Sequence, residues 1–161
     1  MIEIKISPEQ IKRAEKLYPF DNLKDSIMNG TSDIYGALGE IIVQDHFSSI
    51  GKVVEYNGGY DYDMTINQKK IEVKTKKVSR LNTQYVLASV SAHNIKQECD
   101  IYVFCQVKSD KSVGWILGYK TKKDFFEKSF FRKKGDIDDD GFIFKGDCYN
   151  LRVKDLDKFK I

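Results

Sequence analysis

The chain has 161 residues, 41% of them hydrophobic and 12% aromatic, which excludes a disordered polymer and leaves room for one domain with a real core. A formal net charge of +3 is compatible with a polyanionic partner without demanding one. No apolar run approaches the roughly 18 residues of a membrane span. The cysteines, Cys99, Cys105 and Cys148, form no CxxC pair, which argues against zinc; with no signal peptide in view, they point to a reducing cytoplasmic setting.

Residues 1–6 alternate apolar and polar like a short strand. Ser7-Pro8-Glu9-Gln10 then opens a helix: Ser7 is a good N-cap, Pro8 suits the first helical position and Gln10 can close a capping box. Ile11, Ala14, Leu17 and Tyr18 give it an apolar stripe. A second short helix is predicted over 22–28, ended by Asn29-Gly30. Thr31, Ser32 or Asp33 can cap the next helix, which runs to about Phe47 with Ile34, Leu38, Ile41, Ile42 and Phe47 on a broad apolar face. Gly36 and Gly39 are poor helix formers; paired here, they predict close packing against a sheet or a substrate backbone. Glu40 sits on the same helix beside Gly36 and Gln44. Residues 52–56 read as the first core strand, with Asn57-Gly58-Gly59 as a turn.

Residues 62–66 and 70–75 both alternate with period two, and Asn67-Gln68 lies between them. A hairpin with that loop pairs Ile66 with Lys69, Met64 with Ile71 and Asp63 with Glu72. Directly opposed residues have Cβ atoms about 4.5–5.5 Å apart, so two carboxylates could grip one divalent cation. Lys74 follows on the same face, about 6.5–7 Å along the strand. Met64, Ile71 and Val73 point the other way, into a core. Two acids alone would repel and raise each other's pKa, and a cation removes that conflict. Lys70, Lys76, Lys77 and Arg80 flank the hairpin, where they could neutralise phosphates.

Downstream, residues 83–91 read as a strand with Tyr85, Leu87 and Ser89 on one face. Residues 92–98 fit one or two helical turns, and 99–107, the most apolar segment, a central strand. A turn at 109–112 leads to a strand over 113–119. A helix over 121–131 follows, capped by Thr121 and packing through Phe125, Phe126 and Phe130. Residues 142–144 and 149–153 are predicted to form a terminal hairpin. This order implies an α/β (α+β) fold, a central mixed β-sheet flanked by helices, rather than a regular βαβ series.

Asp63 followed by Glu72-Val73-Lys74, after a helix carrying Gly36-Ala37-Leu38-Gly39-Glu40, resembles the PD-(D/E)XK nuclease superfamily, the restriction-endonuclease-like fold of many endonucleases, resolvases and repair nucleases. The proline that the family places before its first acid is Tyr62 here. The resemblance spans roughly residues 33–107. It implies one nuclease-like domain over 1–161, with an N-terminal helical segment (1–30), a catalytic core (31–107) and C-terminal strands and helix (108–161). It further implies metal-dependent hydrolysis of phosphodiester bonds, foremost in DNA, with RNA left open. Asp63, Glu72, the Val73 carbonyl and Glu40 would hold Mg²⁺, with Mn²⁺ as substitute, and Lys74 would orient water or offset charge on the phosphorus centre. Gln84, opening the strand after Glu-x-Lys, matches a polar position that reaches the active site in some members. Because one centre cuts one strand, a homodimer is expected through 113–131, rich in Trp115, Tyr119, Phe125 and Phe126; alternatively, these aromatics finish the chain's own core.

Other readings compete. Glu3-Ile4-Lys5 repeats the triplet with no upstream acid, and the competing reading of residues 63–74 is a hairpin with a mixed-charge solvent face. Glu40 can be a surface ion-pair partner. The same fold can serve as a non-catalytic nucleic-acid-binding module. Asp136, Asp138, Asp140, Gly141 and Asp147 follow the spacing of a calcium loop, although a strand-like segment replaces the exit helix, which favours an acidic turn. His46 and His93 lack a metal-binding hairpin, and His46 reads as a packing or surface residue.

Overall fold

The computed structural model describes residues 1–17, 33–139 and 141–159. The helix expected over 22–28 and the capping position before the following helix lie outside them. Strand β1 (Ile2–Lys5) leads into helix α1 (Pro8–Leu17). The junction is a reciprocal capping box: Gln10 N–H donates to Ser7 Oγ at 3.2 Å and Ser7 N–H to Gln10 Oε1 at 3.0 Å. Helix α1 lies on α2 (Asp33–Ser49), where Gln10 and Arg13 both reach the Asp45 carboxylate.

Helix α2 is apolar nearly all round. Ala37, Leu38, Ile41, Ile42 and Val43 are each at most 1% exposed, which follows from its position between α1 and the main sheet. Gly39 makes that closeness feasible. A Cβ there would fall 1.8 Å from Thr75 Oγ1 on the sheet, whereas one at Gly36 would meet nothing within 4 Å. Only one of the two helix glycines therefore answers to the expected packing.

The main sheet has six strands in the order β1-β7-β6-β4-β3-β2. Strands β2 (Val54–Tyr56), β3 (Met64–Ile66) and β4 (Lys69–Val78) form an antiparallel meander. The β3–β4 hairpin has the predicted register, Ile66 with Lys69 and Met64 with Ile71, and both loop residues take positive φ, 48° for Asn67 and 66° for Gln68. Left-handed backbone at both positions matches the twist of a two-residue hairpin. Strand β6 (Ile101–Lys108) runs parallel to β4 and antiparallel to β7 (Val113–Thr121). It is buried on both faces, as its continuous apolar run foretold.

A smaller antiparallel sheet holds β5 (Leu87–Ser91), β9 (Cys148–Arg152) and β8 (Phe130–Arg132), in the order β5-β9-β8. Two cores result. One fills the space between the main sheet and helices α1 and α2. The other packs Tyr102, Phe104, Trp115 and Leu117 against β5, β9 and helix α3 (Lys122–Lys128). The chain is thus an α+β protein built on a mixed sheet, with α3 capped by Thr121 as expected.

Three expectations fail on strand pairing. Residues 83–86 are not strand, and β5 joins the small sheet rather than the main one. Phe130 belongs to β8, not to the helix. Residues 142–144 do not pair with 149–153: β9 is taken by β5 and β8, and Ile143 makes an isolated bridge with Ile137.

Candidate active site

The hairpin brings the predicted acids together. Asp63, one residue ahead of β3, donates its N–H to Ile71 O at 2.9 Å and turns its own Oδ2 to accept the Val73 N–H at 2.7 Å. The N–H and C=O of one strand residue leave on the same edge, so the Val73 carbonyl also faces the Asp63 side. Glu72 accepts at Oε1 from Lys74 Nζ at 2.6 Å and from Gln97 Nε2 at 2.8 Å. Glu40 arrives from α2, its Oε2 accepting from the Tyr56 hydroxyl at 3.3 Å. Asp63, Glu72 and Glu40 are each only 6–7% exposed. Glu40 is therefore not a surface ion-pair residue, and the hairpin's charged face is not a solvated one.

Burying three carboxylates beside one lysine is costly. Asp63 shows the consequence. Desolvation first, then the charges of Glu40 and Glu72, push its pKa up from 3.8 to about 8, against the opposing pull of the Val73 N–H and Lys74. Glu72 Oε2 is buried with no hydrogen-bond partner, and so is Gln97 Oε1. An orphaned carboxylate oxygen beside a destabilised carboxylate asks for a proton or a cation. The donor set, carboxylates plus the Val73 carbonyl, suits a hard oxygen-loving cation such as Mg²⁺. Among the described residues, no group of three or more Asp, Glu, His or Cys side chains is placed to hold a metal ion. Asp63 Oδ2 accepts from Val73, and Glu72 Oε1 from Lys74 and Gln97.

Gln97 is the site residue that sequence reasoning missed. It ends the 3₁₀ turn Ala92–Lys96, and its Nε2 also donates to Tyr60 O at 2.7 Å. Lys122 Nζ donates to its backbone carbonyl. A lone glutamine in a polar connector carries no signal; only the parallel pairing of β4 with β6 brings it to Glu72.

The predicted nucleic-acid residues divide. Lys70 and Lys76 lie at even positions of β4, like Glu72 and Lys74; Lys70 reaches over the Tyr62 ring and Lys76 Nζ donates to Ser89 Oγ at 2.9 Å. Lys77 points to the other face, with its ammonium 4.9 Å from the Tyr35 ring centre. Arg80 is exposed just past the strand. Gln84 is not brought to the acids. It lines a separate cavity of about 280 Å³ with Arg132 and Arg152, because the segment before β5 leaves the main sheet.

In the calcium-loop segment, Asp136 Oδ2 accepts from the Lys133 N–H, Asp147 Oδ1 from the Lys134 N–H and Asp138 Oδ1 from the Asp139 N–H. These carboxylates fasten a turn; Asp140 lies outside the described residues. Trp115 and Phe125 are buried, Tyr119 stacks on Phe159, and Phe126 packs on Tyr149. The aromatics considered for a dimer are thus used within the chain's own cores. His46 is half-buried edge-on to Phe47, and burial lowers its pKa. Among the described residues no helix is long and apolar enough to cross a membrane. Comparison of the chain with protein-family models, curated proteins and solved structures finds no match.

Proposed function

We propose that the chain is a divalent-metal-dependent nuclease of the PD-(D/E)XK type, on a restriction-endonuclease-like core, cutting phosphodiester bonds in DNA. The observation that carries this reading is the buried group of Asp63, Glu72 and Glu40 beside Lys74, with one Glu72 oxygen left unpartnered. Mixed-charge decoration of a hairpin does not bury its acids. The order of α2, the β2–β3–β4 meander and a later strand parallel to β4 supports the same reading.

Asp63, Glu72, the Val73 carbonyl and Glu40 would hold Mg²⁺ or Mn²⁺, which when bound polarises the scissile phosphate and acidifies a water. Asp63 must be ionised to serve, and a cation in place of its proton reverses the rise in its pKa. Lys74, only 19% exposed, is poised to orient the attacking water or to offset charge growing on the phosphate oxygens. Gln97 holds Glu72 in place from behind. Lys76, further along β4 on the face of Lys74, adds positive charge for a phosphate backbone, while Lys77 lies on the opposite face.

The rival is a non-catalytic nucleic-acid-binding module on the same fold. Three buried acids speak against it, since carboxylates at a phosphate site weaken binding unless a metal is present. The test is to incubate supercoiled plasmid, single strands, branched DNA and RNA with Mg²⁺, Mn²⁺ or EDTA. The enzyme reading expects metal-dependent cleavage of at least one substrate, reduced about 100-fold or more in Lys74→Ala. Equal binding in EDTA and Mg²⁺ with no cleavage of any substrate would favour the module.

A further inference from the structure

Strand β4 outruns its hairpin partner. Strand β3 pairs with residues 69–71, while β6 pairs with β4 from Ile71 to Val78, so beyond the acids no strand pairs the other edge of β4 among the described residues. Because the Val73 N–H faces Asp63, the backbone groups of Thr75 and Lys77 face that same open edge by alternation. A cavity of about 460 Å³ runs along this edge, within the range of sites that hold small molecules, about 300–1,000 Å³. Its floor is Thr75, Lys76 and Lys77, the residues directly following Glu72-Val73-Lys74.

The lining is unusual for a packing defect. Tyr35, Tyr85, Phe142 and Phe144 supply aromatic surface, and Lys145 adds a third ammonium. Asp138 is the one acid among the lining residues. Tyr85 and Phe142 are 54% and 51% exposed, with Phe142 edge-on to the buried Phe144 at 5.3 Å. Tyr35, by contrast, is fixed by its hydroxyl donating to Ser109 O at 2.7 Å. Thr75 lines the cavity floor, with its own Oγ1 turned under Gly39 and buried. Tyr85 also borders the neighbouring cavity, where Arg132 and Arg152 stand with Asp138 and Asp139. Aromatic faces between cationic ends are what a base and its flanking phosphates require. Lysines along the open edge disfavour pairing by another β-strand, which argues against a peptide occupant.

We propose that this cavity receives one unstacked nucleotide of the substrate strand, next to the phosphate that Lys74 addresses, with its base against Tyr85 and Phe142. The inference rests on the nuclease reading and refines it: the substrate is single-stranded or locally unpaired nucleic acid, since a paired and stacked base cannot enter. The polymer then continues over Lys76 and Lys77 on one side and toward Arg132 and Arg152 on the other.

The test uses the full chain in Ca²⁺ and in EDTA. The probe is a short single strand carrying 2-aminopurine, whose fluorescence reports stacking, with its matched duplex as control. The expected result is preference for the single strand with a fluorescence change on binding. Tyr85→Ala and Phe142→Ala should each weaken single-strand binding about tenfold and remove the change, leaving duplex affinity unaltered. Lys145→Ala should weaken both and lower the salt slope by about one. Equal affinity for both strand forms, or binding and fluorescence unaffected by either aromatic substitution, would overturn the proposal. Failure of the two ideas is separable. A fluorescence response that depends on Tyr85 without cleavage of any substrate supports the pocket and defeats the nuclease. Metal-dependent cleavage indifferent to Tyr85 and Phe142 does the reverse.

Discussion

Asp63→Asn should make the metal-free protein more stable while removing its response to metal. The carboxamide keeps an oxygen for the Val73 N–H, so the hydrogen bond survives and only the charge goes. In the native chain the Asp63 carboxyl titrates near 8, against 3.8 for the ordinary group, because burial, Glu40 and Glu72 all oppose its ionisation. The sign follows from linkage. Below about pH 4 both folded and unfolded chains carry the proton, and Asp63 costs nothing. As pH rises the unfolded chain ionises while the folded one does not, and stability falls until about pH 8, then levels. Each unit of displacement corresponds to about 1.4 kcal/mol. The full interval sets a ceiling near 6 kcal/mol, and relaxation of the surrounding acids makes about 2–4 kcal/mol the expected gain. Urea denaturation in EDTA at pH 4.5, 6 and 8 measures it: the difference between Asp63→Asn and wild type should widen with pH. Adding Mg²⁺ at pH 8 should raise the wild-type midpoint and leave the variant unmoved. If Asp63→Asn is less stable than wild type at pH 8 in EDTA, or the two proteins share one pH slope, the electrostatic reasoning fails.

Gly39→Ala should cost about 1–3 kcal/mol by forcing α2 off Thr75 and should lower activity by displacing Glu40. Gly36→Ala, with open space for its methyl, should be neutral or stabilising by up to about 1 kcal/mol; thermal denaturation of the pair separates packing from propensity. Gln97→Ala frees Glu72 from one of its two hydrogen bonds and should weaken Mn²⁺ binding about tenfold, read by calorimetry. Calcium should leave the melting temperature of an Asp63→Asn background unchanged, because the Asp136, Asp138 and Asp147 carboxylates already accept backbone N–H groups; a Ca²⁺-dependent rise abolished by Asp138→Ala would instead establish a calcium site.

The features legible in the sequence were local ones. Alternation over 62–66 and 70–75 with Asn67-Gln68 between them determined a register, and that register carried Asp63 to Val73 and Glu72. The Ser7–Gln10 box and the Thr121 cap were readable for the same reason, since each is closed within a few residues. Partner choice between distant strands was not readable. Residues 83–91 are as strand-like as 99–107, yet β5 pairs with β9 across some sixty residues of chain, Leu87 with Arg152, and Gln84 leaves the site with it. Gln97 was invisible because its role depends on the same long-range crossover. Burial of Glu40 was equally hidden: a glutamate beside two glycines on a helix has no local mark of lying under a sheet, and it is Thr75 against Gly39 that sets the distance.

The acids of the β3–β4 hairpin and α2 are proposed to hold a divalent cation. Titration of Mn²⁺ into wild type, Asp63→Asn and Glu72→Gln at pH 8, followed by electron paramagnetic resonance of the free ion, tests it most directly. Saturable binding is expected in wild type, weakened at least about tenfold in each variant and competed by Mg²⁺. Equal Mn²⁺ uptake by all three proteins, or none by wild type in the presence of a DNA substrate, would contradict it.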